Sequence, residues 1–354
     1  MPLTRSQRRQ EWCAVAGDGS KAVRMGDIAQ RVGVSRTAVS FVLNNRDDGS
    51  VSPATRERIL RAAEDLGYRP HAAARALAAQ RSGLLGLVTE IVTSPFGMET
   101  VKGAQDRSWQ EGKFLLIAAT DGNPGLERAA IEKLLEQRVE GLIYASGFHR
   151  EVTLPPIAFD VPTVLVHCFD ADGRLPSIVP DEEGGGHSAT RHLIEAGHRR
   201  IGFINLEPDT TAARGRLAGY RRALDDAGVE PDDDLVRSSD DSSADGGYLA
   251  ASALLSLPDR PTAIFCGTDR IAMGAYDAIK EHGLSIPSDV AVVGFDNQEL
   301  IAAYLRPKLT TVALPFHEMG TRGVEMLGAA LAAGQPIAPE QVTIGCPLVE
   351  RSSV

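Results

Sequence analysis

The 354-residue chain is poor in cysteine, in aromatic residues and in long apolar runs. Each shortage excludes something. The four cysteines (Cys13, Cys168, Cys266 and Cys346) are scattered with no CxxC pair, so neither a disulfide framework nor a thiolate metal site is expected. Cys168 and Cys266 lie in or beside apolar strand-like runs and read as buried thiols. The eight histidines show no HExxH spacing, and no metal or cofactor is expected. No apolar run approaches a membrane span. The first residues lack the sustained apolar stretch of a secretory signal, so the expected compartment is the cytoplasm, with no membrane partner. GxGxxG does not follow the first strand-like run, and GxxxxGK[ST] and the GxSxG elbow are absent. EEGGGH at 182–187 is glycine-rich, but it reads as preceding a helix with no nucleotide fingerprint around it. No enzyme is expected.

Positive charge is scarce overall and concentrated at one end. The net charge is −10, yet residues 1–82 carry fourteen Lys or Arg against eight Asp or Glu, a net of +6, and the remainder carries −16. Such asymmetry fits a basic nucleic-acid module joined to an acidic ligand-binding or assembly module.

What is present begins with MGDIAQRVGVSRTAVSFVL, Met25 to Leu43. Ile28, Ala29 and Val32 recur at helical spacing. Gly33 stands where a left-handed residue must end a helix, and Ser35 is placed to cap the next. Val39, Val42 and Leu43 form one stripe of that second helix, while Arg36, Thr37, Ser40 and Phe41 fall elsewhere. Small, polar and cationic residues over a first turn suit a helix-turn-helix recognition element; an ordinary helical hairpin would use the same turn chemistry. Ser52-Pro53 then starts a third helix, with Ile59, Ala63 and Leu66 as its buried face and Gly67 as its end. Tyr68-Arg69-Pro70 breaks the chain before the Ala-rich HAAARALAAQ.

The order DIAQRVGVSRTAVSFVLNN, VSPATRERILRAAEDLGYRP, AAARALA resembles the lactose/galactose repressor (LacI/GalR) family over the whole headpiece. The resemblance implies a regulator, most simply a repressor. It would bind double-stranded, pseudo-palindromic operator DNA as a homodimer, with a small-molecule effector between two lobes. Arg36 and Thr37 match the family's base-reading pair; Arg suits guanine O6/N7 and Thr a thymine methyl or base acceptor. Phe41 replaces the more common Arg with an apolar contact. Ser35, Ser40, Asn44 and the third-helix arginines are assigned to phosphates, which position without specifying. Ala74 and Leu77 match the hinge helix, Leu77 being the minor-groove wedge. That run is too short to be stable alone, so it is expected to fold on DNA.

From Leu84 onward the pattern changes to strand-like LLGLV, FLLIA, GLIYA and TVLVH, then IGFIN, TAIFC and VAVVG. The intervening helices are read after Pro95, at Pro124–Val139, near 186–197, 212–227, 245–257 and 269–282, and at Phe316–Ala333. Alternating strands and helices in two series imply two doubly wound parallel-sheet α/β lobes, with ligands at the carboxyl ends of the strands. The resemblance implies a periplasmic-binding-protein type of lobe pair crossed near 178–182, 308–313 and 340–343. The expected divisions are a basic extension at 1–22, read as disordered, and a headpiece at 23–70. A hinge at 71–82 leads to the effector and dimerisation domain at 83–354. Its first lobe is expected at about 83–179 plus 312–341, and its second at about 180–309 plus 342–354. The extension reads either as an arm adding phosphate contacts or as a consequence of start-codon choice. With no heptad tail before Val354, no tetramerising coiled coil is expected.

Landmarks that carry the resemblance into the lobes are SPF at 94–96, VPDEEGG at 179–185, AARGRLAGYRRAL at 212–224, CGTDRIAMGA at 266–275 and VAVVGFDN at 290–297. They imply effector contacts from Phe96, His167, Glu182, Arg216, Ser242, Thr268, Asp269 and Asp296. Arg216 matches the guanidinium that clamps ligand oxygens, and Asp296, after its strand, suits hydroxyl or base N–H donors. Asp269 opens a helix, where a cap or dipole role is the simpler reading. The chain departs from the family at Glu182 and Thr268, where Asn is common, at Ser242, where a stacking aromatic sits, at Leu314, where Gln is frequent, and at His167. The family implies a sugar or glycoside; without the aromatic platform the cleft need not take an ordinary hexose, and Glu182 instead suits a cationic or nitrogenous ligand. A solute-binding protein of the same fold is the rival reading. It explains the lobes but not the headpiece.

Overall fold

The computed structural model describes residues 23–44, 51–68, 81–90, 95–239 and 241–354, and of Pro95 and Phe96 the backbone alone. It divides into two compact units, 1–82 and 83–354.

The first unit is a three-helix headpiece of α1 (Met25–Val32), α2 (Arg36–Leu43) and α3 (Pro53–Asp65). Gly33 ends α1 in the left-handed region at φ 74°, its N–H returning to the Ala29 carbonyl at 2.9 Å. Ser35 caps α2 by accepting from the Ala38 N–H at 3.1 Å. Ser52 caps α3, with Pro53 in its first turn. Ile28, Ala29, Val32, Val39, Val42, Ile59, Ala62 and Ala63 form the core; Leu43 and Leu66 are only half-buried. Arg58 Nη2 donates to the Val32 carbonyl at 2.7 Å and ties α3 to the end of α1. Helices of eight residues are not stable alone, so this shared core is what holds them.

The second unit contains two six-stranded sheets. The first is ordered β11-β5-β4-β3-β1-β2 and the second β12-β10-β9-β8-β6-β7. The strands are β1 (Leu84–Thr89), β2 (Phe114–Ala119), β3 (Leu142–Val152), β4 (Thr163–Asp170), β5 (Ser177–Pro180), β6 (Ile201–Asn205), β7 (Val236–Ser238), β8 (Ala263–Cys266), β9 (Ala291–Asp296), β10 (Thr310–Ala313), β11 (Gln341–Ile344) and β12 (Leu348–Val349). All pairings are parallel except β10 with β12. The helices are α4 (Pro95–Gln110), α5 (Pro124–Glu136), α6 (Glu182–Glu195), α7 (Thr211–Asp226), α8 (Ala244–Leu255), α9 (Asp269–Glu281), α10 (Glu299–Ala302) and α11 (Phe316–Ala333). Central strands are buried along their length, as a sheet covered on both faces requires. Edge strand β2 instead leaves Phe114 and Ile117 exposed.

The chain passes from the first sheet to the second between β5 and α6, returns between β10 and α11, and passes again between β11 and β12. The strands therefore place the second and third crossings after Ala313 and Ile344. The limits expected at 309/312 and 341/342 fall short by a few residues, because β10 completes the second sheet and β11 the first. Short β5, β7, β11 and β12 carry too few residues for a periodic signal.

One local expectation is corrected. EEGGGH does not precede a helix; it is the first turn and a half of α6, which begins at Glu182 rather than near 186. Glycine costs about 1 kcal/mol in a helix interior, but here it removes a collision. A Cβ on Gly186 would stand 2.5 Å from the Arg216 carbonyl oxygen and 2.9 Å from its Cα; on Gly215 it would stand 2.6 Å from Glu182 Cβ; on Gly185 it would stand 2.7 Å from the Phe295 ring. The bare faces of α6 and α7 thus meet backbone to backbone.

Gly186→Ala is therefore expected to destabilise the protein by about 1–3 kcal/mol, although the same change in an isolated helix would stabilise it. Urea unfolding of the two proteins decides the sign; a rise in midpoint would show that the helices are not in close contact.

Candidate functional site

Two regions gather the residues singled out in the sequence. In the headpiece, Arg36 and Thr37 stand exposed on the first turn of α2. Ser40 and Phe41 are half-buried. The Ser35 hydroxyl is engaged as the cap, and the Asn44 side chain donates back to the Ser40 carbonyl at 2.9 Å and hydroxyl at 3.2 Å. Among the third-helix arginines, Arg58 holds Val32 and Arg61 pairs with Glu57 at 2.6 Å. The projecting groups on this turn are thus a guanidinium and a hydroxyl, suited to base edges or phosphates. Ala74 and Leu77 lie outside the described residues.

In the larger unit, the carboxyl ends of parallel strands and the first turns of helices bring a buried cluster together. Glu182 opens α6 after Asp181, whose side chain caps the helix by accepting from Gly184 N–H at 2.8 Å. The α6–α7 approach sets Glu182 beside Arg216. The Arg216 Nε donates to Glu182 Oε2 at 2.8 Å, Nη1 donates to the Gly267 carbonyl, and Nη1 stands 3.7 Å from Asp296 Oδ1. The guanidinium lies 3.7 Å above the centre of the Phe295 ring. From β3 of the other lobe, His149 Nδ1 reaches Glu182 Oε1 at 3.3 Å. The Glu182, Arg216 and Asp296 side chains are 3–4% exposed, and that of His149 is 6% exposed.

Competition for one guanidinium explains the titration of the carboxyls. Burial pushes Glu182 up, but the Arg216 charge and the His149 hydrogen bond outweigh it and hold Glu182 at about 2. Asp296 is farther from the same cation; burial raises it to about 7 against the weaker help of Arg216 and of Gln298 Nε2, which donates at 3.2 Å. Asp269 is fully buried and raised well above the usual range by burial and then by Asp296. Its two oxygens accept from Thr311 Oγ1 and the Gln298 N–H, each at 2.6 Å, so it braces β10 and the loop after β9. Burial lowers His167 to about 4, so the ring is neutral; its Nδ1 lies 3.3 Å from the Ser146 carbonyl.

Thr268 caps α9, its hydroxyl accepting from Ile271 N–H at 3.1 Å. Ser242 lies in the turn before α8, its N–H bonded to the Ser239 carbonyl at 3.2 Å. The side chain of Phe96 is outside the described residues. Positive φ occurs at His167 (60°) within β4, at Ser242 (52°) in the turn before α8, and at Asp296 (111°) and Asn297 (55°) at the end of β9, besides Asp121, Arg138 and Asp209. Such backbone strain costs about 1–3 kcal/mol each and gathers at functional sites.

The residues missed in the sequence are His149, Glu90, Ser146, Arg150 and Gln298. Glu90 follows β1 and accepts from Ser146 Oγ at 3.1 Å and Gly147 N–H at 3.0 Å, and it pairs with Arg150. The signal for Glu90 and Ser146 was their place just past a buried strand-like run. His149 gave none, because it lies beyond a register shift that breaks β3 after Ala145. Among the described residues no group of His, Cys, Asp or Glu is placed to hold a metal, and no helix is long and apolar enough to cross a membrane.

With this geometry in hand, comparison with known proteins is informative. Residues 24–71 match the model of bacterial regulatory proteins, lacI family, and residues 190–354 match the periplasmic binding protein-like domain. The ribose operon repressor of Haemophilus influenzae is 35% identical over 304 residues, 86% of this chain and 90% of that protein. The lac repressor dimer, solved bound to operator and the anti-inducer ONPF, is 28% identical with a TM-score of 0.78, covering 94% of this chain and 99% of that one. The transcriptional regulator CelR, solved as a cellobiose complex, is 30% identical with a TM-score of 0.64, covering 94% and 100%.

The raised carboxyl of Asp296 has a measurable consequence. Its ordinary value is 3.8, so the native state retains a proton there that the unfolded chain releases. The stability from this group is full below that value and is lost as pH rises toward about 7. Asp296→Asn cannot ionise. Relative to the parent it should gain on the order of 2 kcal/mol between about pH 5 and pH 8. Urea midpoints at the two pH values test this; a pH-independent difference would mean an ordinary carboxylate.

Proposed function

The chain belongs to the lacI family of bacterial regulatory proteins, and from that premise we propose that it represses transcription by binding a pseudo-palindromic operator as a homodimer, under control of a small carbohydrate in the interlobe cleft. The observation that carries the DNA reading is the first turn of α2. The αL turn at Gly33 and the cap at Ser35 hold that turn so that Arg36 and Thr37 project free of the headpiece core. In this reading Arg36 takes a guanine bidentately and Thr37 an adjacent base. Ser35, Ser40 and Asn44 serve phosphate contact, Ala74 and Leu77 belong to the hinge helix with Leu77 as the minor-groove wedge, and Phe41 makes an apolar contact. The protein would work in the cytoplasm.

Two features support the rest. The buried cluster of Glu182, Arg216 and Asp296, joined across the lobes by His149, lies where a two-lobed binding fold takes its ligand. The relatives named for ribose and solved with cellobiose support a carbohydrate. For the dimer, β2 presents Phe114 and Ile117 with Trp109 edge-on to Phe114 at 6.4 Å, and Trp109 is 66% exposed. Solvent alone is a poor neighbour for such a patch.

Arg36→Ala should cost about 1–3 kcal/mol on the cognate operator and relax preference at one symmetric base position. Gel shifts with DNA flanking the protein's own coding region measure it. Equal weakening on specific and random DNA would reduce Arg36 to a phosphate contact. Phe114→Glu should convert the dimer to monomer in sedimentation at micromolar concentration, whereas an unchanged dimer would place the interface elsewhere.

A further inference from the structure

The cleft cluster has an imbalance between donors and acceptors that bears on the effector's chemistry. Arg216, the cation that would grip ligand oxygens, has its Nε on Glu182 and its Nη1 on the Gly267 carbonyl and near Asp296. Phe295 covers one face of it. Among the described residues Arg216 Nη2 has no hydrogen-bond partner, but an anion taken there would sit beside the Glu182 and Asp296 carboxyl groups.

The other groups around it are mostly acceptors. His149 Nδ1 faces the Glu182 carboxylate, which only accepts, so Nδ1 carries the proton. In the neutral ring its Nε2 is an acceptor, and it is buried without a partner. His167 Nδ1 faces the Ser146 carbonyl, which likewise only accepts, so in the neutral ring Nε2 is again the acceptor. The two rings lie 5.9 Å apart. Asp296 takes one hydrogen bond, from Gln298, and its remaining lone pairs have no closer cation than Arg216 at 3.7 Å. Two carboxylates, Glu182 and Asp296, thus share a single guanidinium. A buried site of this kind is completed by positive charge and N–H donors.

We propose that the effector is a sugar bearing a protonated amine, an amino sugar, in place of a neutral or acidic sugar. The ammonium sits against Asp296 and donates hydrogen bonds to its carboxylate and to an imidazole Nε2, while the sugar hydroxyls take the places left. This rests on the cleft being the carbohydrate site, and the experiment separates the two ideas. Calorimetry on the full chain near neutral pH compares glucosamine, galactosamine and mannosamine with their parent hexoses and their N-acetyl forms. At least one aminohexose should bind about tenfold or more tightly than both of its counterparts. That preference should shrink about tenfold in Asp296→Asn, and in Glu182→Gln, which frees Arg216. Circular dichroism confirms that each variant is folded, and either variant alone suffices. A parent hexose or an N-acetyl form that binds as well as the amine would overturn the charge assignment while leaving the carbohydrate reading in place. If no sugar of any kind binds, the carbohydrate reading falls and this inference falls with it.

Discussion

The contact between Glu182 and Arg216 organises the larger unit. A buried ion pair stabilises only when its geometry repays the loss of water and its remaining hydrogen-bonding positions are filled. Here the geometry comes from glycine. The α6 helix can lie against α7 only because Gly186, Gly215 and Gly219 present no Cβ at the crossing. That approach puts residue 182 within reach of residue 216, thirty-four positions later. Phe295 closes the far side, within an aromatic series that includes Phe265, Phe203 and Tyr220. Sheet, helices and ion pair are therefore one construction.

Because Glu182 takes the nearest share of the guanidinium, every other group in the cluster is defined by what is left. Asp296 is raised to about 7, Asp269, raised well above the usual range by burial and then by Asp296, serves as a brace, and His149 is drawn across from the first lobe. The last contact matters for movement. Three crossings join the lobes, an arrangement suited to hinge motion. Separating them removes His149 from a buried carboxylate. A ligand changes the balance between open and closed forms only through contacts that differ between them. In the proposed site an interaction with His149 from one lobe and Asp296 from the other would be such a contact.

The headpiece was legible because its signals are local: a left-handed glycine, Ser35 and Ser52 caps, a proline in a first turn, and apolar residues at helical spacing. The parallel strands were legible because burial on both faces leaves near-continuous apolar runs. The glycine run was misread for a physical reason. Local propensity places glycine outside helices, and the tertiary crossing that reverses this involves a partner helix more than twenty residues away. Glu182, Arg216, Asp296 and His167 could each be singled out by resemblance, and Asp296 also by its place after a strand-like run. Their pairing could not, since whether an arginine clamps a ligand or a neighbouring glutamate depends on distances that no spacing in the chain encodes. His149 stayed hidden behind the register shift in β3.

The same separation of scales governs the two units. Residues 1–82 carry +6 and the rest −16. Binding to DNA phosphates is driven by release of counterions, and it scales with the number of cations that reach the backbone. An acidic effector unit contributes none and is repelled at low salt. Non-specific affinity must therefore come from the basic segment, where Arg58 and Arg61 are already partnered within the fold. That leaves a modest electrostatic contribution from the described headpiece. Under the proposed function, selectivity then rests on base contacts from the exposed first turn of α2 and on pairing two headpieces across one operator. A regulator with weak general attraction to DNA gains most from a dimer, because the second headpiece binds at the high effective concentration set by the first.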